Sequence, residues 1–214
     1  MAGYFGWEAL RRCRTSRAAA VAIGERRPRR VGGAVTALEW PGAQVAAWAH
    51  WRVTGDPGLA LAVLGRAVTR GPGAADLARL ADLGPLAASR RDDVRALLAG
   101  PGGWSRVEAA HAWWRLTGDP APAVPVLLDA LRPILAGRQC AIGGAAIRCL
   151  GRIAAPAAGP ALAEILARPA RLTGPGAADP AYAYRSGPGV GRVLADEALV
   201  TDAVVARERI LSRV

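Results

Sequence analysis

A chain of 214 residues, 52% hydrophobic but only 5% aromatic, is long enough to bury a core without disulfide or metal staples. Its apolar content is mostly Ala, Leu and Val, which favours close-packed helices over a β-sandwich. All 28 basic residues are Arg, which excludes chemistry built on lysine: phosphate loops of the Walker type, Schiff-base catalysis and the Ser-x-x-Lys dyad.

The net charge of +11 is unevenly spread. Residues 1–32 hold eight Arg against Glu8 and Glu25, including the run Arg26-Arg-Pro-Arg-Arg30. This segment reads as a disordered basic arm or a frayed first helix. The remaining residues are only mildly basic, so the charge points to nucleic acid less strongly than the total suggests. Residues 1–24 lack the pattern of a secretory signal. No apolar run approaches ~18 residues, the length needed to span a bilayer. The expectation is a cytoplasmic protein with no membrane insertion. Cys13, Cys140 and Cys149 show no C-x-x-C spacing and read as small buried residues.

Residues 33–168 carry an internal repeat. Val45-Ala-Ala-Trp-Ala-His-Trp-Arg-Val-Thr-Gly-Asp-Pro57 returns as Glu108-Ala-Ala-His-Ala-Trp-Trp-Arg-Leu-Thr-Gly-Asp-Pro120, offset by 63 residues. Weaker copies stand at Leu83-Gly84-Pro85 and Ile153-Ala154-Ala155-Pro156. The junction prolines Pro57, Pro85, Pro120 and Pro156 are thus spaced by 28, 35 and 36 residues. A period in this range is the signature of a solenoid. In Thr-Gly-Asp-Pro the Gly suits the left-handed end of one helix. Asp56 or Asp119 caps the next helix, and the Pro opens it. Helices are expected near 43–54, 57–69, 73–83, 86–99, 104–116, 120–135, 140–154, 157–168 and 193–213. The fold expected is all-α: an α-solenoid of about four stacked antiparallel helix pairs. Residues 169–192, rich in Gly and Pro, read as a loop before a C-terminal capping helix at 193–214.

Val107-Glu-Ala-Ala-His-Ala-Trp-Trp-Arg-Leu-Thr-Gly-Asp-Pro-Ala-Pro-Ala-Val-Pro-Val-Leu-Leu128 resembles a HEAT-like repeat of the phycobilisome-lyase type, found in bacterial HEAT-repeat proteins. In that family a V-R-x-x-A-A-x-A-L helix leads through G-D-P to A-V-P-x-L-x-x-L-L. The resemblance covers roughly residues 42–168. Glu108 stands where the family has Arg, and the helices are unusually rich in Trp. The resemblance implies the stacked-pair fold. A lyase-like role as a chromophore chaperone rests on the family name alone, and fold does not give function.

No catalytic set, cofactor fingerprint or metal-ligand cluster is legible. His50 and His111 lie on different helices with no H-E-x-x-H and no Cys/His grouping,. Asp92-Asp93 follows Arg90-Arg91 and reads as a self-neutralising solvated face. On a helical wheel Glu108, His111 and Arg115 cluster on one face. The positions 63 residues earlier are Val45, Trp48 and Arg52. In a solenoid one helix layer lines the concave side, so these positions recur along it. Aromatic and Arg side chains are the usual anchors of interfaces. Trp48, Arg52, His111 and Arg115 are therefore the candidate partner-binding residues. Trp51 and Trp114 are expected in the core. The function expected is a non-enzymatic scaffold that binds a protein partner. The alternative is a nucleic-acid-binding HEAT-like protein related to the alkylpurine DNA glycosylases, which work on a flipped base. Against it, Asp56 and Asp119 are committed to capping, which leaves no evident catalytic acid.

Overall fold

The two Thr-Gly-Asp-Pro copies fold into the same turn, bond for bond. In a computed structural model, which describes residues 42–138, 140–168 and 180–213, helix α1 (Ala43–Thr54) ends at Gly55 with φ +78. Helix α5 (Trp104–Thr117) ends at Gly118 with φ +73. Each Gly N–H donates to a Trp carbonyl four residues back, Trp51 or Trp114, at 2.8 Å. The Thr54 and Thr117 hydroxyls accept from the N–H of Asp56 and Asp119 at 3.2 and 3.1 Å. The two carboxylates accept from Gly58 and Ala121 N–H, both at 2.9 Å. Asp56 thus satisfies a free N–H at the first residue of the next helix, Gly58–Thr69,. The expected pattern of an Asp cap and a Pro first residue is not met: the N-cap residues are Pro57 and Pro122, and Ala121 lies two residues before the helix Ala123–Asp129.

The described chain is helical, with no β-strand. After α1 come α2 (Gly58–Thr69), α3 (Ala74–Leu83) and α4 (Arg91–Leu98). Beyond α5 follow α6 (Ala123–Asp129), α7 (Arg132–Leu135), α8 (Ala141–Ile153), α9 (Gly159–Ala167) and α10 (Pro180–Leu211). Short 3-10 turns, Gly84–Arg90 and Pro156–Ala158, lead into α4 and α9.

Three elements differ from the expected boundaries, two of them through Pro. The expected 86–99 helix is split into the Gly84–Arg90 turn and α4. Gly84 has φ +55 and Pro85 lacks an N–H, so the chain starts in the tighter 3-10 winding. The expected 120–135 helix breaks between α6 and α7, because Pro133 cannot donate and its ring crowds the carbonyl of Asp129. At the C-terminus α10 begins at Pro180, so residues 180–192, expected as loop, are helical. Pro180 suits the helix start, where its missing N–H costs nothing, and the Ala-, Leu- and Val-rich run after residue 192 supplies the helix-forming and buried positions,. Residues 169–179 of the expected loop, and the basic segment 1–32, lie outside the described residues.

The helices pack because their apolar positions recur at helical spacing. Ala60, Val63, Leu64 and Val68 on α2, and Leu77, Leu80, Ala81 and Leu83 on α3, are buried. Leu199, Ala203, Ala206 and Ile210 form the buried stripe of α10,. Helix α8 is buried on most sides, through Gly143, Gly144, Ala145, Ala146, Ile147, Cys149, Leu150, Gly151 and Ile153. It lies against α5 and α6 on one side and α10 on the other. Its glycines permit this: a Cβ on Gly151 would stand 2.8 Å from Ala206 of α10. One continuous core runs from α2 to α10. Among the described residues it holds no buried polar or charged residue.

Four hydrogen bonds join elements at a near-constant separation in sequence. Ser105 Oγ donates to Pro72 O, Arg115 Nε to Ala81 O, Trp48 Nε1 to Asp82 and Arg168 Nη1 to Ile134 O. The partners are 33 or 34 residues apart in every case, close to the period read from the prolines.

Candidate partner-binding groove

The C-terminal ends of α3, α5, α8 and α10 meet around a groove of roughly 660 Å³. That volume lies within the range of ligand-binding clefts. Its walls include Asp82 from α3, His111, Trp114 and Arg115 from α5, Arg152 from α8, and Arg209 just before the end of α10.

Each side chain reaches the groove by helix position. Trp114 and His111 are half-buried and stack, with ring centres 6.2 Å apart and planes 30° apart. His111 Nδ1 lies 3.6 Å from Glu108 Oε2, one turn back. Arg115 is anchored by its Nε bond to Ala81 O at 3.2 Å and lines the groove, and its Nη atoms have no side-chain partner among the described residues. Arg115, Arg152 and Arg209 stand in the last turn of their helices. There they offset the partial negative charge of free carbonyls, about half a unit per helix end. A whole guanidinium charge against half a unit leaves the groove positive. Among the described residues, none of Arg115, Arg152, Arg209 and Arg213 has a carboxylate within ion-pair distance. One turn up, Arg148 is neutralised by Asp202 at 2.6 Å. The positive character is therefore confined to the helix ends.

The four residues singled out from sequence divide. His111 and Arg115 line the groove. Trp48 joins its rim indirectly: its indole Nε1 donates to Asp82 Oδ2 at 3.1 Å, and Asp82 is a groove wall. Arg52 is exposed and is not among the residues lining the groove. Its guanidinium lies over its own helix's rings, 5.6 Å from Trp48 and 5.8 Å from Trp51, a cation–π arrangement. Trp51 packs at the edge of the core. Trp114, expected in the core, touches it on one side and the groove on the other. Trp113 takes the buried position instead.

Asp82, Arg152, Arg209 and Arg213 were missed. For Arg152 a signal existed: Arg52 and Arg115 stand five residues before their junction prolines, and Arg152 stands four before Pro156. Asp82 had none, since its copy of the repeat is the weakest.

Other chemistry is quiet. Burial pushes the Cys149 thiol from 9.0 up to about 12, with Arg152 opposing and Glu108 adding to the rise. The thiolate, the reactive form, is thereby suppressed. Asp92 and Asp93 pair with Arg91 and Arg90 at 3.7 and 3.6 Å on the surface, as the self-neutralising face requires. Among the described residues no group of three or more His, Cys, Asp or Glu is placed to hold a metal ion. None of the described helices is long and apolar enough to cross a membrane. Comparison of the chain with family models, curated proteins and solved structures finds no match.

Proposed function

We propose that this chain is a non-enzymatic, cytoplasmic HEAT-like scaffold, an α-solenoid of about four antiparallel helix pairs closed by α10, which binds a protein partner through the groove. The observation that carries the reading is that α3, α5 and α8, the second helix of successive units, and the closing helix α10 all bring their C-terminal ends to one cleft. The 33- and 34-residue hydrogen bonds and the matched junctions support the repeat. Trp114 and Arg115 supply residue types that dominate binding at interfaces.

The test is partner capture with paired variants. Arg115→Glu combined with Trp114→Ala reverses charge and removes the aromatic wall, while Arg132→Glu alters an exposed residue outside the groove. A partner held by the wild-type chain and by Arg132→Glu, and released by the double variant, supports the scaffold. Identical capture by all three contradicts it.

A second reading has one observation in its favour. Asp82 places a carboxylate beside Trp114 and Arg115, where sequence alone offered no acid for a glycosylase-like site. Its carboxylate is already engaged by Trp48. Excision of an alkylated base that is abolished by Asp82→Asn would favour this reading over the scaffold.

A further inference from the structure

We infer that the groove takes an acidic peptide segment, its carboxylates held by Arg152, Arg209, Arg213 and the free edge of Arg115. The inference rests on the scaffold reading and names the chemistry of its partner. Four guanidinium groups border one cleft without carboxylate partners among the described residues. Arg79, Arg90, Arg91, Arg106, Arg132 and Arg148 are each paired with Asp. Among the described residues, Arg without such a pair outside the cleft, among them Arg52, Arg95 and Arg207, do not line it, so what sets the cleft apart is four of them together. Guanidinium presents a planar fork of donors that matches a carboxylate two bonds at a time. Arg152, Arg209 and Arg213 are exposed, so a ligand reaches them without unfolding anything.

The lining suits a peptide better than a nucleic-acid strand. A strand presents a phosphate at every step and calls for a basic track along its length. Here the basic side chains stop at the helix ends, because Asp202 neutralises Arg148 one turn away. Asp82 interrupts the wall between the Arg groups and the Trp48 side. That carboxylate repels any anion placed against it, but it can accept a backbone N–H, a donor that a peptide carries and a sugar–phosphate backbone lacks. Trp114 and His111, stacked on the same wall, offer an apolar surface for one side chain of the segment.

Fluorescence anisotropy on the full chain tests this. The probes are a labelled peptide of Glu and Ser with one Leu, its Gln counterpart, and single-stranded and duplex oligonucleotides of matching length. The Glu peptide is expected to bind and the Gln peptide to fail. Arg152→Glu and Arg209→Glu should each weaken binding about tenfold or more, the worth of a charge-assisted bond. Arg152→Lys, which keeps the charge but loses the fork, should fall between the wild type and Arg152→Glu. Both reversed side chains are exposed, and an unchanged circular dichroism spectrum confirms that the variants fold. Absence of Glu-peptide binding overturns the inference, as does binding indifferent to both reversals, which would place the peptide elsewhere on the chain. Tighter groove binding of an oligonucleotide overturns it and the scaffold reading together. If a photo-cross-linker at Ser212 instead captures a partner segment without acidic residues, the inference fails and the scaffold reading stands.

Discussion

Trp48 and Asp82, thirty-four residues apart, are joined by an indole-to-carboxylate hydrogen bond of 3.1 Å. The bond runs from α1 to the last turn of α3 and links the aromatic face of the first copy to the groove wall of the next. Because both side chains are partly solvated, its net worth is that of an ordinary surface-edge hydrogen bond. A double-mutant cycle with Trp48→Phe and Asp82→Asn should give a coupling of about 0.5–1.5 kcal/mol in urea unfolding. Strict additivity would mean that the two residues do not interact in solution.

The Pro156 junction, Ile153-Ala154-Ala155-Pro156, replaces the Thr, Gly and Asp of the two full copies. Ala154, two before Pro156, occupies the position of Gly55 and Gly118 and adopts the same left-handed conformation, φ +55. Its Cβ is strained there by about 1–2 kcal/mol. Glycine removes that strain but gives the unfolded chain more freedom, which takes back part of the gain. Ala154→Gly should therefore stabilise the protein by roughly 1 kcal/mol, read as a rise in the unfolding midpoint. The reverse exchange, Gly118→Ala, should lower it by a similar amount.

Gly151 sets how closely α8 and α10 approach. Any Cβ there would press on the Ala206 backbone at 2.8 Å, and a backbone atom cannot rotate away. Gly151→Val should cost at least about 1–3 kcal/mol. It should also raise hydrogen exchange along α10 around Leu199 and Ala203 while α2 and α3 stay protected. Uniform loss of protection would show that α10 is not a separately displaced element.

Cys149 predicts a pH dependence at the alkaline end. Its pKa is raised on folding, so the folded state holds a proton that the unfolded state releases near 9. Above that value the unfolded chain binds fewer protons, and stability falls as pH rises from about 9 towards about 12,. Below 9 the contribution is fully present. Cys149→Ala should flatten this part of the profile. Under native conditions alkylation should reach half-exposed Cys140 well before buried Cys149. Equal labelling rates would contradict the burial.

Much of the fold was legible because the decisive signals are local. Thr-Gly-Asp-Pro states a helix end, a cap and a helix start within four residues, and α1 and α5 both end where it says. The breaks at Pro85 and Pro133 were less legible, since the apolar pattern continues across both and only the missing N–H interrupts the helix. The groove was half legible. The wheel found His111 and Arg115 because they share one helix face. It could not find Asp82, Arg152 or Arg209, which join them only through the stacking of separate helices. Arg52, which the repeat matches to Arg115, lies over the rings of Trp48 and Trp51 on its own helix, a placement that side-chain packing and not sequence spacing decides.

Hydrogen–deuterium exchange of the full chain, alone and with its captured partner, tests the central claim most directly. Protection on binding should concentrate in the C-terminal halves of α3, α5, α8 and α10, around residues 80–83, 111–117, 149–153 and 206–212. Protection falling instead on α2, α4, α6 and α9, with those four helix ends unchanged, would contradict the groove as the binding surface.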